Sequence, residues 1–149
     1  MSVRWIALLT LAISSGCAGV SGGTIVKVLP HYLDNIGRHS NGPSLLHRDI
    51  YQKRLRDEPE LINALRFDIK WRGNGMDSEI AKLRIEVRSS IAGVPPQVFE
   101  QPVKSGGIAN WTAVLVNSKE YKKIGKMESW RATLLAGDKV LAERKSFLW

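Results

Sequence analysis

From Leu65 onward the hydrophobic period of this 149-residue chain is two. Leu65, Phe67, Ile69 and Trp71 alternate with Arg66, Asp68, Lys70 and Arg72. Side chains on a strand point to opposite faces in turn. Such a run is therefore a half-buried strand with one apolar and one charged face. Leu83, Ile85 and Val87 repeat the pattern against Lys82, Arg84, Glu86 and Arg88, and Trp130, Ala132 and Leu134 repeat it against Ser129, Arg131 and Thr133. Turn signals separate the runs: Gly73-Asn74-Gly75, Pro95-Pro96, Gly106-Gly107 and Gly137-Asp138, the last suited to a tight hairpin. Residues 97–104 read as a strand demoted toward an edge by Pro102. Residues 111–116 are apolar on both parities and read as a central, covered strand. Trp71, Trp111 and Trp130 are expected in the core. Residues 139–149 return as the last strand, with Trp149 packed on the rim.

The N-terminal half is less regular. Thr24 to Leu29 is a β-rich run stopped by Pro30, followed by an irregular stretch with Gly37, Gly42 and Pro43. Ser44 can cap a helix through about Asp57, with Pro59 ending it. Leu46 and Ile50 share one face of that helix, and Tyr51 and Leu55 share another, so it is either gripped on two sides or short. Glu60 to Ala64 can add a turn. Residues 118–125 form a Lys-rich connection with room for one helical turn.

Seven short strands with frequent turns are the footprint of a β-sandwich. The expected fold is mainly β. The strand order and spacing resemble immunoglobulin-like and fibronectin-type domains, here with a helical insertion, around residues 44–57, after the first strand. Tyr121 precedes the penultimate strand, where that resemblance places a corner tyrosine. No disulfide pair accompanies it, and Trp71 stands on the second strand rather than the third.

The first residues read as an address. Met1-Ser2-Val3-Arg4 is a short basic start, and Trp5 to Ile13 is an uncharged, mostly apolar run. It is too short for a bilayer, which needs about 20 residues, and suits the h-region of a signal peptide. Ser14, Ser15 and Gly16 then precede Cys17, the chain's single cysteine. This arrangement resembles the lipobox of bacterial lipoproteins. The resemblance implies cleavage before Cys17, a diacylated thiol and an acylated amino group. Ser14 stands where that motif usually has Leu, so cleavage by the general signal peptidase, giving a secreted soluble protein, is the alternative. Ala18 replaces the Asp that the resemblance associates with inner-membrane retention, which favours the outer membrane. The expected organisation is a signal peptide over 1–16, a lipidated Cys17 with a flexible tether through residue 23, and one sandwich domain over 24–149. Residues 130–134 and 146–149 are also similar to the ending of small bacterial lipoproteins, a likeness that carries no function with it.

The search for chemistry is mostly negative. There is no phosphate-binding glycine loop with Lys-Ser/Thr and no Gly-x-Ser-x-Gly elbow. With Cys17, the single cysteine, given to the anchor, the folded domain has no thiol for catalysis or metal binding. The chain is expected not to be an enzyme and to need no cofactor. His31, His39 and His47 fall close together and are weak candidates for a metal site, against the reading that they are loop and helix-surface histidines.

Charge is uneven. Residues 17–80 carry nine basic and eight acidic groups, whereas residues 81–149 carry twelve and six. Lys119, Lys122, Lys123 and Lys126 cluster before the penultimate strand and are the candidate anion-binding residues. Lys82, Arg84 and Arg88 share a strand face. The competing reading is a solvated surface with Glu86 and Glu120 as local partners. Nucleic acid is not an expected partner, because stacking motifs are missing. The leading expectation is an envelope lipoprotein, facing the periplasm, that docks another envelope protein through a sheet edge or the helical insertion. The alternative is a binder of anionic glycolipid or polysaccharide. A metal-handling role comes third.

Overall fold

The computed structural model describes residues 22–74, 81–104 and 109–149. The leader, Cys17, residues 18–21 of the tether, Gly75 and Gly106-Gly107 lie outside the described residues. Seven antiparallel strands form two sheets. One joins β1 (Gly22–Leu33), β2 (Ala64–Asn74) and β5 (Asn110–Val116) in the order β1-β2-β5. The other joins β3 (Ala81–Ser89), β4 (Gln97–Pro102), β6 (Met127–Ala136) and β7 (Lys139–Lys145) in the order β4-β3-β6-β7. Helix α1 (Leu45–Asp57) and a single 3₁₀ turn (Pro59–Leu61) separate β1 from β2, and helix α2 (Ser118–Ile124) separates β5 from β6.

The alternating runs set the core. Every second residue of β3 from Ala81 to Ser89 is buried. Leu83, Ile85 and Val87 pack with Leu65, Phe67, Ile69 and Trp71 of the facing sheet. Trp71 is fully buried, and its indole Nε1–H donates to Thr112 Oγ1 at 2.9 Å, which satisfies the one polar atom it brings inside. Trp130 is half-buried and meets Phe67 edge-on at 6.3 Å. Gly137 takes φ +58 in the first place of the β6–β7 turn, a conformation that favours glycine.

Several expectations change. First, β1 does not stop at Pro30 but runs to Leu33, and it begins at Gly22, inside the stretch assigned to the tether. It is an edge strand of its sheet, pairing there only with β2, so a proline removes an amide the ladder can spare. Gly23 is held to glycine by close packing: a Cβ there would lie 2.6 Å from Leu134 Cδ2 and 3.1 Å from Leu141 Cβ. Second, β5 is an edge strand rather than a central one. Its register sets Trp111 against Lys70, Ala113 against Asp68 and Leu115 against Arg66, all on the outer face. Trp111 is accordingly 55% exposed, not core. Third, α1 is gripped on one side only. Tyr51, Gln52 and Leu55 are buried, while Leu46 and Ile50 are 68% and 56% exposed. Fourth, β7 ends at Lys145, and Trp149 follows a turn to stack beneath Arg88 and Arg131, 3.9 and 4.9 Å from its ring. Gly73 and Asn74 extend β2 rather than turn.

Helix α1 is fastened to the open edge of β1 by a side chain acting as a strand would. Gln52 Oε1 accepts from Tyr32 N–H at 2.8 Å, and its Nε2 donates to the Tyr32 and His39 carbonyls, each at 2.9 Å. The intervening loop closes on Asp34. Its carboxylate accepts from the backbone N–H of Ile36 and Arg38, from Arg38 Nε, and from the Tyr51 hydroxyl at 2.6 Å. Ser44 caps α1 as expected, accepting from His47 N–H.

Candidate functional site

Helix α2 begins with Asn117, whose side chain accepts from Glu120 N–H, and ends at Gly125 with φ +64. Its spacing turns Tyr121 and Ile124 inward and leaves the lysines outside. Ser118 Oγ donates to Asn63 Oδ1 at 2.8 Å and ties α2 to the segment before β2. Between α2, the end of β1 and the end of α1 lies a cavity of 360 Å³. Tyr32, Pro59, Ile62 and Tyr121 give it apolar walls, and Arg56, Lys122 and Lys126 stand around it. That volume falls in the range of about 300–1,000 Å³ usual for small-molecule sites.

The two phenols meet edge-on, with ring centroids 6.3 Å apart. Neither hydroxyl has a hydrogen-bond partner among the described residues. Tyr121 stands before β6, where the resemblance places a corner tyrosine, but its hydroxyl makes no hydrogen bond among the described residues. Burial, reinforced by Tyr32, pushes the Tyr121 hydroxyl up to about 12. Burial also raises Tyr32, against the opposing Arg56. Both remain protonated donors at neutral pH.

The four lysines do not act as one cluster. Lys122 and Lys126 line the cavity. Lys123 pairs with Glu120 at 3.0 Å and belongs to the solvated face. Lys119 is exposed and does not line the cavity. Arg56, Lys122 and Lys126 have no ion-pair partner among the described residues. The strand-face cations are partly neutralised: Lys82 and Arg84 share Glu100 at 2.9 and 2.8 Å, Arg131 binds Glu86, and Arg88 stacks on Trp149.

The histidines separate into two groups. His31 is buried, its ring centroid 5.0 Å from that of His39, with Nε2 3.4 Å from Asp68 Oδ2. Burial lowers His31 to about 4 despite Asp68, and burial with Arg66 lowers His39. His47 sits apart at the start of α1, with Nδ1 2.7 Å from Ser44 Oγ. Among the described residues no group of three or more His, Cys, Asp or Glu is placed to hold a metal ion.

Tyr32, Arg56, Pro59 and Ile62 carried no signal in the sequence. They reach the lysines only through tertiary packing of the insertion against α2. Comparison with protein-family models, with curated proteins and with solved structures gave no match. No helix among the described residues is long and apolar enough to cross a membrane.

Proposed function

We propose that the chain is a lipid-anchored module of a bacterial cell envelope that binds an anionic amphiphile, the charged, chain-bearing end of a glycolipid, without catalysing a reaction. The observation that carries this reading is the pairing of an apolar cavity with three unpaired cations and two free phenol donors. An anion entering there gains charge-assisted hydrogen bonds, and its chain gains about 25 cal/mol per Å² of apolar surface buried. A polysaccharide with no apolar portion leaves the Tyr32–Ile62 walls unused. The basic start, short apolar run and Cys17 support the anchor, and Ala18 supports an outer-membrane, periplasm-facing location. The sandwich is of immunoglobulin or fibronectin type. The strand orders support this: they match the constant immunoglobulin arrangement with the fourth strand moved to the opposite sheet.

Decyl phosphate, with decanol as its uncharged counterpart, tests the pocket by titration calorimetry. The phosphate is expected to bind more tightly, and less so at 1 M salt, where the Debye length falls to about 3 Å. Lys122→Glu with Lys126→Glu is expected to weaken it by roughly tenfold or more, about 1.4 kcal/mol. Equal affinity for the alcohol, or an unchanged affinity in the variant, excludes the reading. Intact mass of the protein from its native membrane, beside Cys17→Ala, tests the anchor.

Docking to another envelope protein is supported by one observation, the outward apolar face of α1 at Leu45, Leu46 and Ile50. Replacing Leu46 and Ile50 by Ser is expected to weaken such docking and to leave decyl phosphate binding unchanged.

A further inference from the structure

The outer face of the β1-β2-β5 sheet carries a second concavity, an open groove of 530 Å³. Trp111 forms one wall, more than half of its surface exposed, with Lys70 Nζ 5.9 Å from the ring centre. His31, His39, Arg48 and Asp68 line the rest with the small Ala113. An exposed indole on a sheet face is unexplained by packing, because the same strand buries Val114 and Val116 on its other side.

The charged side chains that line this groove are already paired, and Lys70, which lies over the Trp111 ring, has no ion-pair partner among the described residues. Arg48 binds Asp49 at 2.8 Å, and Asp68 Oδ2 accepts from Arg66 at 2.9 Å. The imidazoles are neutral at pH 7. His39 Nδ1 faces Arg66 Nη2 at 3.4 Å, and a guanidinium only donates, so Nδ1 accepts and Nε2 carries the proton. Polar atoms here without a hydrogen-bond partner among the described residues include Asp68 Oδ1, His39 Nε2 and Arg48 Nη1. They offer one acceptor and two donors beside a flat apolar ring.

The geometry points to a site for a neutral sugar: a pyranose unit of an uncharged polysaccharide stacks its C–H face on Trp111 and shares its hydroxyls among Asp68, His39 and Arg48. A pyranose has one apolar face and a ring of hydroxyls that both donate and accept, which is what the groove presents. An anion gains little where Arg48 and Arg66 are already paired and the one unpaired cation, Lys70, does not line the groove, and an apolar ligand would strand these polar atoms. This inference does not depend on the Tyr32–Tyr121 cavity.

Calorimetric titration of the full chain with chitotetraose and with maltotetraose tests it, with wild type, Trp111→Ala and Trp111→Phe compared. At least one sugar is expected to bind wild type with an affinity indifferent to salt between 50 and 500 mM. Trp111→Ala is expected to lose roughly tenfold or more in affinity, as removal of an aromatic anchor does, and Trp111→Phe is expected to lose less. An unchanged melting temperature in Trp111→Ala separates lost binding from lost fold, since the side chain is exposed. If neither sugar binds, if affinity falls with salt, or if Trp111→Ala binds within about twofold of wild type, the inference is wrong.

Discussion

Asp34 and His31 are buried ionisable side chains three residues apart beside the helical insertion, and they make the fold acid-sensitive in two separate windows. Burial opposes the charge on Asp34, but the Tyr51 hydroxyl, Arg38 and the Ile36 amide outweigh it and hold the carboxyl at about 2, below its ordinary 3.8. The unfolded chain therefore takes up the proton first as pH falls. The stability Asp34 contributes is complete above 3.8 and is lost between 3.8 and about 2. His31 has the same sign at higher pH. Its folded value of about 4 lies below the ordinary 6.5, so acidification from 6.5 to about 4 favours the unfolded state, and no more is lost below that. Denaturant melts across pH 2 to 8 check both windows. His31→Gln is expected to flatten the upper window and keep the lower. Asp34→Asn is expected to do the reverse, and to cost about 1–3 kcal/mol at neutral pH by leaving Arg38 and its amide poorly satisfied.

At the scale of elements, the weak joint is between α1 and the sheet. The helix buries few apolar side chains, and Gln52 supplies the polar lock on β1. Gln52→Glu keeps the acceptor for Tyr32 N–H but loses both donors and sets a carboxylate beside two carbonyls. It is expected to destabilise more than Gln52→Ala, by about 2 kcal/mol or more, and to speed hydrogen exchange at the Tyr32 amide. The other joints were more legible in the sequence. Strict alternation in β2 and β3 placed Trp71 and Ile85 inside, because a register slip would have exposed the whole apolar set. Ser44 announced the start of α1 through local hydrogen-bonding chemistry. Trp111 misled because apolar residues on both parities of β5 leave the buried face undetermined, and the choice rests on Lys70, Asp68 and Arg66 of the neighbouring strand. Two of the four clustered lysines, Lys122 and Lys126, line the cavity. The rest of that lining, the phenols and Arg56, depends on contacts between segments some sixty or more residues apart, which local pattern does not encode.

At the scale of the molecule, the cavity and the groove lie at the two ends of α1. Arg48 lines one and Arg56 the other. Eight residues of helix separate them by about 12 Å at 1.5 Å per residue. A third depression, of 190 Å³, runs between: it shares Leu29, His31 and Arg48 with the groove and Arg56 with the cavity. The helical insertion thus borders one track, with unpaired cations at one end and an aromatic-sided groove, its lining charges paired, at the other. A ligand joining both chemistries over that span makes the second contact within a complex already formed, at the high effective concentration set by a short linkage. An anionic lipid bearing a neutral sugar is therefore expected to bind wild type more tightly than decyl phosphate, by about 10²-fold or more where the linkage fits. In Trp111→Ala it should fall back to the affinity of decyl phosphate, and in Lys122→Glu with Lys126→Glu to that of the free sugar. Calorimetry across the three proteins decides the point. If the glycolipid and decyl phosphate bind wild type equally, the two ends do not serve one ligand.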